Sequence, residues 1–198
     1  MPRLFTAIEI PRSIADHLSM LRAGLNGARW IDPETYHLTL RFVGDVDGAT
    51  ARHFTDALGD ILAVPFRLKL NGLDSFGGKK PRTIFASAEP SPEVDALHYA
   101  CDAAARLAGL PPERRNFKPH VTIARLRGTR PDAVAAYLQN VGLVSDSFTV
   151  TRFVLYSSRD SVGGGPYVVE AAYDLEDEED DNYGVYEVDQ LQAYGIDS

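Results

Sequence analysis

His37-Leu-Thr-Leu-Arg-Phe-Val-Gly and, 83 residues further on, His120-Val-Thr-Ile-Ala-Arg carry one pattern: histidine, apolar residue, threonine, apolar residue. Side chains alternate faces along a strand, so each copy sets an imidazole and a hydroxyl side by side on one face. Leu38, Leu40 and Phe42 point the other way, as do Val121 and Ile123. The apolar face suits a core and the polar face a cleft. A single strand histidine is more often an ordinary half-buried residue than a catalyst. Two in the same setting ask for a common cause.

The chain around them is duplicated, as laying it over itself at a shift of 80 to 84 residues shows. Leu4-Phe-Thr-Ala-Ile-Glu-Ile-Pro and Ile84-Phe-Ala-Ser-Ala-Glu-Pro each read as a strand, followed by helical periodicity over 14–25 and 94–107. A histidine strand comes next in both copies, then a helix over 51–62 or 132–141. Phe66-Arg-Leu-Lys-Leu-Asn-Gly-Leu-Asp-Ser matches Phe148-Thr-Val-Thr-Arg-Phe-Val-Leu-Tyr-Ser at a shift of 82. Each leads through a glycine-rich turn, Gly77-Gly78 or Gly163-Gly164-Gly165, into an apolar strand over 83–88 or 167–172.

A β-α-β-α-β-β unit read twice predicts an α+β fold. It is bilobed and duplicated, with two mainly antiparallel sheets facing a central cleft, helices outside, and a pseudo-twofold relating the copies. A parallel α/β sheet is the competing arrangement, but paired hairpins without crossover helices argue against it. Residues 1–175 are expected to form one two-lobed domain, with repeats at approximately 1–82 and 83–175.

Composition narrows the function classes. The 198 residues are 44% hydrophobic and hold no apolar run near the roughly 18 residues that cross a bilayer. The Met-Pro-Arg-Leu-Phe start lacks a signal-peptide layout, so a cytoplasmic protein is expected. The single Cys101, in Ala-Cys-Asp-Ala-Ala-Ala, excludes a disulfide or a cysteine metal cluster and reads as a packed core thiol. The net charge of −8 is misleading, because residues 176–198 hold nine acidic residues and no Lys or Arg. Without them 19 acidic residues face 20 basic ones, and the body is near neutral. The tail is expected to be disordered, though Tyr183, Val185, Tyr186, Val188, Leu191 and Tyr194 offer a segment able to dock.

Two facing histidines with hydroxyls beside them suit cleavage of a phosphodiester. One imidazole takes a proton from the attacking water, the other gives one to the leaving alkoxide, and both titrate near neutral pH. The hydroxyls hydrogen-bond non-bridging oxygens as charge develops. Metal binding is the rival use, and it fits less well. Neither motif has a carboxylate or cysteine at ligand spacing, and His-x-Thr lacks the His-x-x-x-His spacing of helical zinc sites. Gly-x-Ser-x-Gly and P-loop segments are absent from the sequence. His17, His53 and His98 lie on helical stretches and read as surface or structural residues.

At these motifs the sequence resembles the two-histidine phosphoesterase superfamily, and within it the bacterial and archaeal RNA 2′,3′-cyclic phosphodiesterases, also called 2′-5′ RNA ligases. The resemblance runs over most of residues 3–175. It is carried by Leu4-Phe-Thr-Ala-Ile, Trp30, the histidine motif to Gly44, Pro119-His-Val-Thr-Ile-Ala-Arg, Leu155-Tyr-Ser-Ser and Gly165-Pro-Tyr. It implies a groove between lobes, no metal or other cofactor, and hydrolysis of RNA 2′,3′-cyclic phosphate ends to 2′-phosphates. His37 would be the proton donor to the 3′ oxygen and His120 the acceptor that activates water. Thr39, Thr122 and Arg125 would bind the phosphate. Phe85 stands where many relatives have tryptophan, and the acidic tail lies outside the family pattern.

Simple alternation puts Arg125 on the face opposite His120, so its role requires the strand to end or bulge near Ala124. Arg41 shares a face with His37 by parity and is a weaker candidate. Lys79-Lys80-Pro-Arg82, Arg114-Arg115 with Lys118, and Arg125, Arg127 and Arg130 are basic clusters near predicted loops that suit a phosphate backbone. Phe5, Phe76, Tyr156 and Tyr167 are candidate base-stacking surfaces. The expected partner is RNA ending in a 2′,3′-cyclic phosphate, met by a monomer without membrane or obligate protein partner. The acidic tail, on this reading, competes with RNA for the basic groove. Two alternatives stay open: a two-histidine enzyme on a small cyclic nucleotide, an ADP-ribose cyclic phosphate or a 2′-5′ oligonucleotide, and a non-catalytic RNA-binding module.

Overall fold

The computed structural model describes residues 3–22, 24–142, 145–158 and 167–176. The expected Gly163–Gly165 turn and the tail beyond Glu176 lie outside them. Among the described residues, nine strands and four helices run in the order β1 (Arg3–Glu9), α1 (Arg12–Met20), β2 (Ala28–Trp30), β3 (His37–Asp45), α2 (Gly48–Gly59), β4 (Phe66–Phe76), β5 (Thr83–Ala88), α3 (Pro92–Leu107), β6 (His120–Leu126), α4 (Pro131–Asn140), β7 (Ser145–Val150), β8 (Arg152–Ser158) and β9 (Tyr167–Asp174). A short 3₁₀ turn, Pro33–Thr35, precedes β3.

The fold is α+β with a large antiparallel sheet, ordered β7-β4-β5-β6-β3-β1-β8-β9, with β2 added beside β6. The histidine strands β6 and β3 meet at the seam, flanked by β5 and β1, which are equivalent in the repeat, and the pseudo-twofold passes between them. Where separate sheets were expected, the halves join in one ladder through a single antiparallel pair, Leu38 with Val121. Strands that meet at one pair splay on either side of it, and the splay leaves the groove open between the halves.

The halves do not coincide with the sequence repeats. β4, from the first repeat, pairs with β5 and β7, whereas β8, from the second, pairs with β1 and β9. The repeats have exchanged strands, so each half-site is supported by residues from both. The stretch matched at 148–157 is two strands rather than one. It breaks at Thr151, whose carbonyl accepts the Leu175 N–H, and β7 and β8 go to opposite ends of the sheet.

Apolar faces decide the layering. Leu38, Leu40, Val121 and Ile123 are buried in one core with Ile14, Leu18, Phe54, Leu58, Val94 and Leu97 from the helices. Each such side chain contributes on the order of 1.5–3 kcal/mol of transfer free energy. α2 starts earlier than its periodicity predicted because Asp47 caps it, accepting from the Ala49 and Thr50 N–H groups. α3 is capped by Ser91 with Pro92 in its first turn. α1 stops at Met20, short of the predicted 25. Beyond it Gly27 adopts φ +81°, where a Cβ would lie 2.5 Å from the Arg127 carbonyl oxygen. That close approach is how β2, unannounced by any periodicity, docks on β6. Cys101 is a buried free thiol, pushed up to about 12 by desolvation.

Candidate active site

Register builds the site. The Leu38–Val121 pair brings the two motifs side by side, His37 and Thr39 on β3 and His120 and Thr122 on β6. All four side chains are half-buried and line one groove of about 670 Å³. A duplicated motif across a pseudo-twofold has become a four-membered cluster.

Both rings are fixed in the same way. His37 Nδ1 donates to the Thr35 carbonyl at 2.7 Å, and His120 Nδ1 donates to the Lys118 carbonyl at 2.6 Å. A carbonyl only accepts, so each neutral ring carries its proton on Nδ1 and leaves Nε2 as the nitrogen able to exchange a proton. The carbonyl two residues upstream is available because the chain enters each strand through a turn or coil containing proline, Asp32-Pro33 and Lys118-Pro119.

Beneath the rings lie aromatics from the adjoining strands. Phe5 packs 5.0 Å from His37 and Phe85 packs 5.0 Å from His120, ring centre to ring centre. Tyr156 and Tyr167 complete the His37 side at 5.9 and 5.2 Å, and Phe76 stands edge-on to His120 at 4.9 Å. Desolvation drives His37 down to about 4, with lesser contributions from His120 and Arg125, against the opposing effect of the Thr35 carbonyl. His120 is also lowered, by desolvation first and then by Arg125 and Lys118. Both rings are therefore neutral in the empty groove at pH 7.

The bulge that Arg125 requires is present. β5 pairs Ile84 with Ala124 but Phe85 with Thr122, so Ile123 is the extra residue, and Ile123 and Ala124 both point into the core. Parity then resets, and Arg125 lines the groove with His120 and Thr122, its Nη1 donating to Thr83 Oγ1 at 3.3 Å. β3 has the same bulge, at Leu40. It carries Arg41 away from His37, to 5% exposure on the helix side, so the parity expectation for Arg41 is corrected. Phe42 instead occupies the position equivalent to Arg125, in the groove and 44% exposed.

Of the basic clusters, Arg115, Lys118 and Arg125 line the groove, whereas Lys79, Lys80, Arg82, Arg127 and Arg130 do not. Arg130 pairs with Asp132 instead. Lys118 reaches Asp74 at 3.1 Å and sits 4.9 Å above the Phe85 ring, two contacts that hold it beside His120. Among the expected stacking residues, Phe76 and Tyr167 line the groove, while Phe5 is buried as a floor. Phe42 and the 115–118 segment contribute lining that strand patterning did not reveal. Among the described residues, no three His, Cys, Asp or Glu side chains converge as a metal site would require.

The family profile of the 2'-5' RNA ligase superfamily matches residues 10–161. A Bacillus subtilis protein named RNA 2',3'-cyclic phosphodiesterase is 28% identical over 167 residues, spanning 79% of this chain and 91% of its own length. Among solved structures, E. coli LigT complexed with 3'-AMP superposes with a TM-score of 0.73 at 25% identity, covering 89% of this chain and all of that one. TT0787 of Thermus thermophilus does so with a TM-score of 0.73 at 27% identity, covering 89% and 99%.

Proposed function

The chain belongs to the 2'-5' RNA ligase superfamily, and on that footing we propose that it hydrolyses RNA 2',3'-cyclic phosphate ends to 2'-phosphates by two-histidine acid–base catalysis. The observation that carries the reading is the matched tethering of His37 and His120, each with Nδ1 on a backbone carbonyl two residues back and both lining one groove. Several relatives bear the name RNA 2',3'-cyclic phosphodiesterase, from Bacillus subtilis to Methanothermobacter thermautotrophicus. RNA as the substrate rests on those names and on the basic lining.

In the proposed reaction His120 Nε2 takes a proton from water as the water oxygen bonds to phosphorus. The bond from phosphorus to O3′ breaks, and His37 Nε2 delivers its proton to O3′. The products are a 2′-phosphate and a 3′-hydroxyl. Thr39 and Thr122 donate to the non-bridging oxygens, and Arg125 compensates the charge they gain. His37 is neutral in the empty groove, so on this reading it acquires its proton when the phosphodiester anion is bound, since a nearby negative charge favours the imidazolium. The chemistry needs no metal.

We take the enzyme to act as a monomer. No helix among the described residues is long and apolar enough to cross a membrane; we place the enzyme in the cytoplasm, with its RNA. The test incubates the protein with EDTA and a short RNA bearing a 2′,3′-cyclic phosphate, and identifies the product end. A 2′-phosphate formed at the same rate with and without chelator is expected. A 3′-phosphate, or loss of turnover with EDTA, contradicts the mechanism.

A further inference from the structure

Arg41 is the residue that strand parity most clearly misplaced, and what it does instead reaches the groove from behind. Its guanidinium is buried with Nη1 donating to the Phe42 carbonyl at 2.6 Å and lying 3.3 Å from Glu113 Oε2. Nη2 donates to the Pro111 carbonyl, and Nε lies 2.9 Å from Asp102 Oδ1 as an ion pair bent too far to be a hydrogen bond. Asp102, on α3, also accepts the Glu113 N–H at 2.9 Å and pairs with Arg106. Glu113 in turn accepts the N–H groups of Arg114 and Arg115 at 2.9 and 3.1 Å.

The partners of this buried cation lie on three elements: β3, α3 and the coil from Leu110 to Lys118. That coil has no helix or strand of its own to fix it. It nevertheless supplies Arg115 and Lys118 to the groove, and the Lys118 carbonyl is what fixes the His120 ring. The equivalent position in the other half is Ala124, fully buried and without polar reach. Burying a guanidinium against two carboxylates is a poor way to gain stability, since desolvation cancels much of the attraction. It is a good way to define the position of a coil, because a planar fork engages several acceptors at once.

We propose that Arg41 is a positioning residue of the groove: through Asp102 and Glu113 it holds the 110–118 coil where Arg115 meets substrate and the Lys118 carbonyl orients His120. The inference rests on the groove being a cyclic phosphodiesterase site. It differs from a purely structural role in predicting lost turnover at preserved global stability.

Three variants test it, Glu113→Gln, Arg41→Lys and Arg41→Met, each measured by amide hydrogen exchange, thermal unfolding and steady-state hydrolysis of an RNA 2′,3′-cyclic phosphate. In Glu113→Gln the amides of 110–118 should exchange about tenfold faster while β3 and β6 keep their protection. Its kcat should fall about 10- to 100-fold, with a smaller rise in KM, because misplacement of a reacting group by about 1 Å can cost about 100-fold. Arg41→Lys keeps the charge but loses the fork, and should lie between wild type and Arg41→Met. Should Arg41→Met fail to fold, Glu113→Gln decides. Wild-type kcat and loop exchange in Glu113→Gln, even with a lowered melting temperature, overturn the proposal. If the wild type itself hydrolyses no cyclic phosphate, the functional reading fails, and unaltered 110–118 exchange in the variants separately overturns the positioning role.

Discussion

The two halves of the groove begin from nearly the same tetrapeptide and end as different environments. Around His37 the neighbours are Phe5, Tyr156 and Tyr167, and the residue five places on is Phe42. Around His120 the aromatics are Phe76 and Phe85, but Lys118 and Arg125 bring two cations, and the residue five places on is that arginine. The first half buries its imidazole more deeply and drives it down to about 4, with Arg125 contributing from across the groove; the second carries the cations and is more open to water. Duplication supplies two imidazoles with the same tether. Divergence of their surroundings has made the two rings electrostatically unlike, and the proposed division into proton donor and proton acceptor depends on how a bound phosphate acts on that difference.

The largest effect should come from removing either ring. His37→Ala and His120→Ala should each lower kcat by about 10²- to 10⁴-fold, and the double variant should be little worse than either single, because the rings act as a unit. Near-normal turnover in one of them would mean that the halves are not a pair. Next comes the cation. Arg125→Ala should cost about 10²- to 10³-fold in kcat. Exchanging the two positions, Phe42→Arg with Arg125→Phe, should not restore it, because the arginine would then face the wrong half. Recovery in the exchanged protein would show that the half-sites are interchangeable.

A subtler difference concerns pH. kcat/KM reports the free enzyme and kcat the bound complex. On the proposed mechanism His37 carries a proton as donor, so activity should be lost as pH rises through its pKa. In the empty groove that pKa is depressed to about 4, and a bound phosphodiester anion raises it. The high-pH limb of kcat should therefore lie at least about one pH unit above that of kcat/KM. Coincident limbs would separate His37 from the phosphate.

The smallest effect is on stability. A histidine whose folded pKa lies below its unfolded value of 6.5 favours folding above pH 6.5, and that contribution is lost as pH falls toward 4. His37→Asn should flatten the decline of Tm over that window, by about 2–4 °C for each kcal/mol of that contribution. His120→Asn, in the more open half, should flatten it less.

Legibility in the sequence followed the same divide. The tetrapeptides and the repeat were enough for an α+β duplication with a groove, because strand alternation and helical periodicity are local properties. Alternation failed where it was interrupted. Leu40 and Ile123 are ordinary apolar residues that nothing marks as bulges, yet each reverses the faces beyond it. Strict parity would have Arg41 and Arg125 trade places. The break at Thr151 leaves only a faint trace, the loss of alternation at Thr151-Arg152 before the apolar run Phe153 to Tyr156. The Arg41–Asp102–Glu113 cluster joins residues separated by up to 72 positions and has no sequence period at all. It belongs to packing rather than pattern.

The central claim, that twin motifs have been made electrostatically unlike, is tested most directly by following the imidazole resonances of His37 and His120 by NMR as pH is varied, with and without a 2′-phosphorylated RNA product. Without product, His37 should titrate near 4, and His120 should also titrate below its ordinary value, lowered by desolvation. With product bound, both should titrate at higher pH. Two rings that titrate together near 6.5 and ignore the product would contradict it.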